Sequence, residues 1–168
     1  MQASACPEAP STNMLEILKN LFTELTGKPV NQFEPTDYRV AAAALMVHAC
    51  SVDGLIDEAE RERLREVLQT RFGLDQAATN ALIDEATQAE NEAVDLYRFT
   101  SQLNRSLDED GRRRVVEMMW EMVYADGRAN EFEDNLLWRA ADLLGISSRD
   151  RIALRQRVGG ERSDPADA

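Results

Sequence analysis

The chain has 168 residues, of which 43% are hydrophobic and 30% are charged, and its 31 acidic residues outnumber 19 basic ones to give a formal net charge of −12. This composition excludes a fibrous or low-complexity protein and indicates one globular domain, large enough to bury its own core. The negative charge disfavours nucleic acid and anionic lipid as partners, because like charges repel. It attracts cations and basic partners, although solubility alone also explains an acidic surface.

Features of the sequence predict the location of the protein. No segment reaches the ~20 consecutive apolar residues of a membrane span. The start of the chain lacks the basic residues and the apolar core of a secretory signal. The two cysteines, Cys6 and Cys50, are too few for a disulfide framework, which favours a reducing compartment. We therefore expect a cytoplasmic protein that does not insert into a membrane.

The chain begins with a tail and an amphipathic segment. Residues 1–13 are rich in Ala, Ser and Pro, which predicts a disordered tail. Residues 14–26 are predicted to form a helix, because four leucines and Phe22 recur there at steps of three and four. This helix packs on the body of the domain, lies on a membrane surface or binds a partner. Packing is the commonest of these outcomes, and the scarcity of basic residues nearby argues against a membrane surface.

The pattern after this segment is helical, which predicts a single all-α domain over residues 14–158. Two segments, 40–47 and 115–124, are apolar nearly all round, and a helix of that kind is buried. The other segments are amphipathic, with a break in the pattern at residues 90–92. Residues 159–168 are expected to form a frayed polar end. The predicted helix ends lie near Val52, Arg71, Ala89, Leu103, Tyr124, Leu144 and Val158.

One stretch of eight residues occurs twice, and the second copy lies 73 positions after the first. Each copy follows one of the two apolar segments and precedes an amphipathic one. The shared positions are Asp53, Gly54, Asp57 and Glu60 in the first copy and Asp126, Gly127, Asn130 and Glu133 in the second. The likeness extends over about residues 40–83 and 113–155, which indicates a duplicated helical unit. We therefore predict an all-α, compact bundle of seven to eight helices, built from two similar halves whose most apolar helices are in contact.

The repeated turn has two interpretations. Local backbone geometry explains it without a ligand, because Gly is favoured just after a helix end and Asp or Asn followed three residues later by Glu forms a capping box. Cation binding also explains it, because Ca²⁺ and Mg²⁺ prefer carboxylate and carbonyl oxygens, and two turns brought together could share one site. The order of Gly and Glu is not that of an EF-hand loop. The candidate metal ligands are Asp53, Asp57, Glu60, Asp126, Asn130 and Glu133.

Signs of catalysis are scarce. His48 is the only histidine, and Cys50 has apolar neighbours, which keep a thiol unreactive. The sequence has no Gly-rich phosphate loop, no Cys-x-x-Cys motif and no Ser-centred elbow. We expect His48 to be a satisfied core or edge residue, and Glu121, at the equivalent place in the second copy, to face solvent, pair with an arginine or line a polar pocket. No catalytic residue is predicted, and an enzyme is not expected.

The two turn segments resemble those of the tellurite-resistance TerB-like family. The likeness is carried by residues 49–60 and 122–133, each a helix end followed by Asp-Gly and, seven residues after the Asp, a Glu. The resemblance implies a mostly seven-helix cytoplasmic domain, linked to tellurite and general stress resistance, to metal binding through the acidic turn residues and to complexes at the membrane face. The sequence departs from the family pattern at Val52 and Ala129, and Asn130 in place of a carboxylate makes the second turn the weaker cation ligand.

These observations leave three hypotheses about function. The leading one is a non-enzymatic acidic module that binds Ca²⁺ or Mg²⁺ at the two Asp-Gly turns and acts in tellurite or general stress response. The alternative is a purely structural protein-interaction module, in which the turns are helix caps only and the N-terminal helix or a groove between the halves holds a protein partner. The third is a metal-dependent hydrolase, which needs a pocket containing a carboxylate of raised pKa.

Overall fold

The structure, a computed structural model, describes residues 33–52, 54, 56–93, 95–126 and 130–160, apart from the side chains of Asp126 and Gly160. The predicted tail, the predicted helix 14–26 and residues 161–168 lie outside this description. The described chain forms seven α-helices, a short 3₁₀ turn and no strand, which confirms the predicted all-α bundle. None of these helices combines the length and the apolar character that crossing a membrane requires. The elements are α1 (Tyr38–Ser51), α2 (Glu58–Phe72), α3 (Gln76–Glu92), α4 (Tyr97–Ser106), α5 (Glu109–Val123), the 3₁₀ turn (Tyr124–Asp126), α6 (Glu131–Leu143) and α7 (Ser148–Gly160).

The two apolar segments form the buried helices α1 and α5. Every residue from Val40 to Val47 is buried, and Ala42, Ala43 and Ala44 have no exposed surface. Because alanine side chains are short, neighbouring helices can approach α1 closely, and it packs against α2, α3, α4, α5 and α6. In α5, Trp120 is the largest fully buried side chain. The predicted contact between the two most apolar helices is confirmed.

The helix contacts follow the duplication. Helices α1 and α5 pack against each other, and each also packs against the amphipathic helix of the other half, α1 against α6 and α5 against α2. Within each half the same pairs recur, α1 with α3 and α5 with α7. Reciprocal contacts of this kind are typical of two similar units that pack with two-fold symmetry. Helix α4 lies between the halves in sequence and packs against α1 and α6.

Side chains cap most of the helix starts. The N-cap oxygen accepts a hydrogen bond from a backbone N–H in the first turn, which satisfies a donor that has no partner within the helix. At the other end of α2, Gly73 adopts a left-handed conformation with φ of 62°, which glycine tolerates best. The side-chain N-caps are Asp37, Asp57, Asp75, Asp108, Asn130 and Ser147.

Three of the predicted boundaries are wrong. Helix α4 ends at Ser106 and not near Leu103, and the other two differences have a visible cause. Residues 90–92 do not break the pattern but form the last turn of α3, where Glu90 contacts His48 of α1. Helix α4 begins at Tyr97, whereas the apolar pattern predicts a start near Val94. Its start is favoured by Asp95, whose Oδ1 accepts a hydrogen bond from the Tyr97 N–H at 2.9 Å. Both differences come from polar side-chain contacts that the apolar pattern does not record.

Candidate functional site

Each repeated turn ends in a complete capping box. In the first, Asp57 N donates to Glu60 Oε2 and Glu60 N donates to Asp57 Oδ1, both at 2.8 Å. In the second, Asn130 N donates to Glu133 Oε2 at 2.8 Å, and Glu133 N donates to Asn130 Oδ1 at 2.9 Å. The two N-caps share an extended backbone, with φ/ψ of −76°/172° and −77°/165°. The predicted capping role is therefore confirmed at both turns.

The capping glutamates Glu60 and Glu133 line the same small cavity, which has a volume of about 40 Å³. A space of this size can hold a water molecule or an ion. Its lining follows the repeat, because six of the seven residues form three pairs separated by 73 positions. The pairs are Ala49 with Met122, Cys50 with Val123, and Glu60 with Glu133. The cavity therefore lies where the two halves meet, and both capping glutamates contribute to it.

Arg63 is the seventh lining residue, and it breaks the symmetry of the cavity. It lies one turn after Glu60 on α2, and its counterpart in the second half is Leu136. A guanidinium beside two carboxylates lowers the net negative charge of the junction. The sequence pattern did not identify Arg63, because it is one of several charged residues on the polar face of α2.

Four of the six candidate metal ligands lie in the described part of the chain. Asp57 and Asn130 are exposed, whereas Glu60 and Glu133 are half-buried. Asp53 and the side chain of Asp126 lie outside the description. Among the described residues, no group of three or more His, Cys, Asp or Glu side chains could hold a metal ion. A cation site at this junction would therefore have to draw on Asp53 and Asp126 as well.

His48 and Glu121 are both paired with side chains on other helices. The Nδ1 of His48 lies 2.9 Å from Glu90 Oε1, which ties α1 to α3. Arg71 of α2 donates from Nε to Glu121 Oε2 at 3.1 Å, which ties the first half to α5 of the second. The prediction of a satisfied histidine is confirmed. Of the three environments considered for Glu121, the structure shows pairing with an arginine, and neither residue lines the cavity.

Cys50 is a core residue on the wall of the cavity. Its side chain is 5% exposed, its Sγ donates to the Met46 carbonyl oxygen at 3.0 Å, and it lies 3.6 Å from Met122 Sδ. A buried thiol in apolar surroundings behaves as a small hydrophobic side chain. The thiol therefore contributes packing at the junction.

The sequence analysis also did not identify a group of interacting side chains near the second turn. Arg155 of α7 donates a hydrogen bond to Tyr124, before the second turn, and forms an ion pair with Asp134, after it. The available signal was the concentration of arginines on α7, which stands out in a chain of net charge −12. The sequence pattern assigned these arginines no partners, because ion pairs between helices depend on distances across the fold.

The family comparison agrees with the resemblance carried by the two turns. Residues 39–156 match the family described as Tellurite resistance protein TerB, a span of more than half of the chain. No curated protein and no solved structure matches the chain. Because the matched span contains both acidic turns and nearly all of the described helices, the chain belongs to the TerB family of tellurite resistance proteins.

Proposed function

We propose that this chain is a non-enzymatic module of the TerB family that binds a divalent cation, Ca²⁺ or Mg²⁺, where its two Asp-Gly turns meet, and that it acts in tellurite or general stress resistance. Family membership supports the resistance role. The observation that carries the cation site is the shared cavity, because Glu60 and Glu133 belong to different halves and line the same space.

The capping bonds are compatible with metal coordination. Each glutamate accepts its backbone N–H through Oε2. An ionised carboxylate has two oxygens and roughly four lone-pair sites, so one capping bond does not exhaust it. Ca²⁺ takes about six to eight oxygen ligands, and carboxylates supply them through one oxygen or two. The cap therefore orients the carboxylate while leaving it chemically able to bind a cation.

The proposed ligand set is centred on four carboxylates. Glu60 and Glu133 come from the capping boxes, and Asp53 and Asp126 begin the two turns. Four negative charges against the single positive charge of Arg63 attract a cation, and the acidic protein as a whole adds to this field. Asp57 and Asn130 would then support the site mainly as N-caps, with water completing the coordination.

The residues that could serve catalysis support a non-enzymatic role. Nucleophilic catalysis needs a nucleophile and a base within hydrogen-bonding reach of each other. His48 is the only histidine of the sequence, and the Cys50 thiol donates to a backbone carbonyl oxygen. A phosphatase and esterase screen with metal present is expected to give no activity.

Calorimetric titration and thermal unfolding with Ca²⁺, Mg²⁺ and Zn²⁺ test the cation site. We expect Ca²⁺ or Mg²⁺ to release or absorb heat and to raise the unfolding temperature, because a ligand that binds only the folded state stabilises it. Both responses should disappear in the double variant Asp53→Ala, Asp126→Ala. No heat from any of the ions at millimolar concentration would overturn the proposal.

A pair of matched N-caps separates metal binding from capping. Asp57 and Asp75 both cap helices through the N–H three residues later, with φ/ψ of −76°/172° and −76°/173°. Replacing either by Ala should cost about 1 kcal/mol of stability, since each loses one capping bond. Only Asp57 belongs to the repeated turn. Asp75→Ala should keep the full response to the cation, whereas Asp57→Ala should weaken it.

The alternative function is a purely structural interaction module, and the completeness of both capping boxes favours it. In that case the turns require no ion, and a groove of about 280 Å³ between the halves is the candidate surface for a protein partner. The groove is bordered by Val67 of α2, Glu121 of α5 and Val158 of α7. This alternative predicts the same loss of stability for Asp57→Ala and Asp75→Ala with and without added ion.

A further inference from the structure

Arg155 of α7 joins the two elements that flank the second acidic turn. Its Nε donates to the hydroxyl oxygen of Tyr124, in the 3₁₀ turn before it, at 2.7 Å. Its Nη2 lies 3.3 Å from Asp134 Oδ1, in the first turn of α6 after it. The Arg155 guanidinium on α7 therefore contacts both the 3₁₀ turn before the second acidic turn and the start of α6 after it.

Aromatic contacts fix this arrangement further. The guanidinium carbon lies 5.7 Å from the ring centroid of Trp120 and 5.9 Å from that of Tyr124, within cation–π range. The two rings pack against each other with centroids 5.4 Å apart, and Trp120 is fully buried. Asp134 is held from another side by Trp138, whose Nε1 donates to Oδ2 at 3.3 Å.

The charge state of Arg155 agrees with this role. The hydrogen bond to Tyr124 raises the pKa of Arg155 above its ordinary value, burial lowers it in part, and the charge of Asp134 raises it again. The guanidinium is therefore positively charged at neutral pH.

In the part of the first turn that the structure describes, no equivalent of these contacts is present. Tyr124 corresponds to Ser51 and Asp134 to Arg61 in the register of 73 positions. In the register that matches Gly73 with Gly145, Arg155 corresponds to the buried Ile83. The arrangement therefore belongs to the second half alone, which is also the half whose turn carries Asn130 in place of a carboxylate.

We propose that Arg155 is a positioning residue for the second half of the cavity. By holding Tyr124 and Asp134 it fixes the start of α6, and so keeps the Asn130–Glu133 capping box in place against the first half. Arg155 does not line the cavity and acts through these two partners. The consequence for cation binding rests on the proposed function: a preorganised second turn loses less entropy when the cation binds, which favours binding.

Hydrogen exchange measured by NMR tests the positioning role without any cation. The amides of Glu133 and Asp134 bond to Asn130, and the amides of Glu60 and Arg61 bond to Asp57 in the same way, so the two sets are matched. The variants are Arg155→Met and Tyr124→Phe. The control is Arg157→Met, which removes an exposed arginine on the same helix that pairs with Glu117 at 3.3 Å.

We expect Tyr124→Phe to speed exchange of the second set roughly fivefold, the effect of losing one hydrogen bond. Arg155→Met should speed it at least as much, because it also removes the ion pair with Asp134, and the first set should be unchanged in both variants. The control should alter neither set. Equal acceleration at both turns would mean a general loss of stability, and no acceleration at the second turn would mean that Arg155 does not hold it. Either result overturns the positioning role.

Calorimetric titration with Ca²⁺ and Mg²⁺ then tests the consequence for the site. Tyr124→Phe keeps the positive charge of Arg155 and removes the hydroxyl that accepts its hydrogen bond, so it should weaken cation binding several-fold, and Arg157→Met should not. Unchanged affinity in Tyr124→Phe would overturn the link to the site even if exchange changes. If the unaltered protein binds no cation, the proposed function fails, and the exchange experiment still decides whether Arg155 positions the turn.

Discussion

At the residue scale, Asp37 combines a helix cap with an ion pair. Its Oδ1 accepts the Arg39 backbone N–H at 2.9 Å, and its Oδ2 accepts from Arg39 Nη2 at 2.6 Å. The guanidinium also lies 4.7 Å from the ring centroid of Phe33, so the pair is partly shielded from water. Burial alone would raise the pKa of the Asp37 carboxyl, but the hydrogen bonds and charge of Arg39 outweigh it and the pKa is lowered.

The lowered pKa of Asp37 predicts how stability depends on pH. A carboxyl whose pKa is lower in the folded state contributes stability above its unfolded pKa, about 3.9, and this contribution is lost as pH falls through the folded pKa. Asp37→Asn keeps a capping oxygen but removes the charge. Urea unfolding should therefore show a larger difference between the variant and the unaltered protein at pH 6 than at pH 2.5. A difference independent of pH would contradict the assignment.

At the element scale, the sequence predicted helices and caps well and predicted polar contacts between helices poorly. Asp57 and Gly73 carry local signals, because an N-cap and a left-handed glycine act on their own backbone. Glu90 carries no such signal. It remains helical in α3 while its carboxylate meets His48, a residue 42 positions away that only the packed fold brings near. The boundary at residues 90–92 was missed for that reason.

The glycine that ends α2 allows a prediction about a single element. Gly73 has φ of 62°, and a Cβ there would meet no atom within 4 Å. A larger residue is therefore disfavoured only by the left-handed backbone conformation. Gly73→Ala should cost about 1–2 kcal/mol, the strain of a left-handed alanine. The control Gly159→Ala lies within α7, also without neighbours around its Cβ, and should stabilise the protein by up to about 1 kcal/mol. Thermal unfolding compares the two, and a neutral Gly73→Ala would show that the turn adapts.

At the scale of the whole molecule, the duplication explains what could be predicted of the site. The repeat identifies two capping boxes of common geometry, and both are present. It does not give the distance between them, which depends on how α1 and α5 pack. Arg63 and Arg155 were missed because each has no counterpart in the other half, so the repeat carries no signal for either. Arg63 and Arg155 could therefore be identified only from the structure.

The packing of α1 against the second half predicts that the two halves unfold together. Ala43 is fully buried on α1, and both tryptophans of the chain, Trp120 and Trp138, lie in the second half. Ala43→Leu adds volume to a close-packed core and should cost about 1–3 kcal/mol, whereas Ala77→Leu, exposed on α3, should cost little. Because α1 contacts both α5 and α6, the Ala43 variant should lower the midpoint seen by tryptophan fluorescence as much as that seen by circular dichroism. If the fluorescence midpoint stays unchanged while the dichroism midpoint falls, the second half keeps its structure after the first half has unfolded. That result would mean that the contact between α1 and α5 does not couple the unfolding of the two halves.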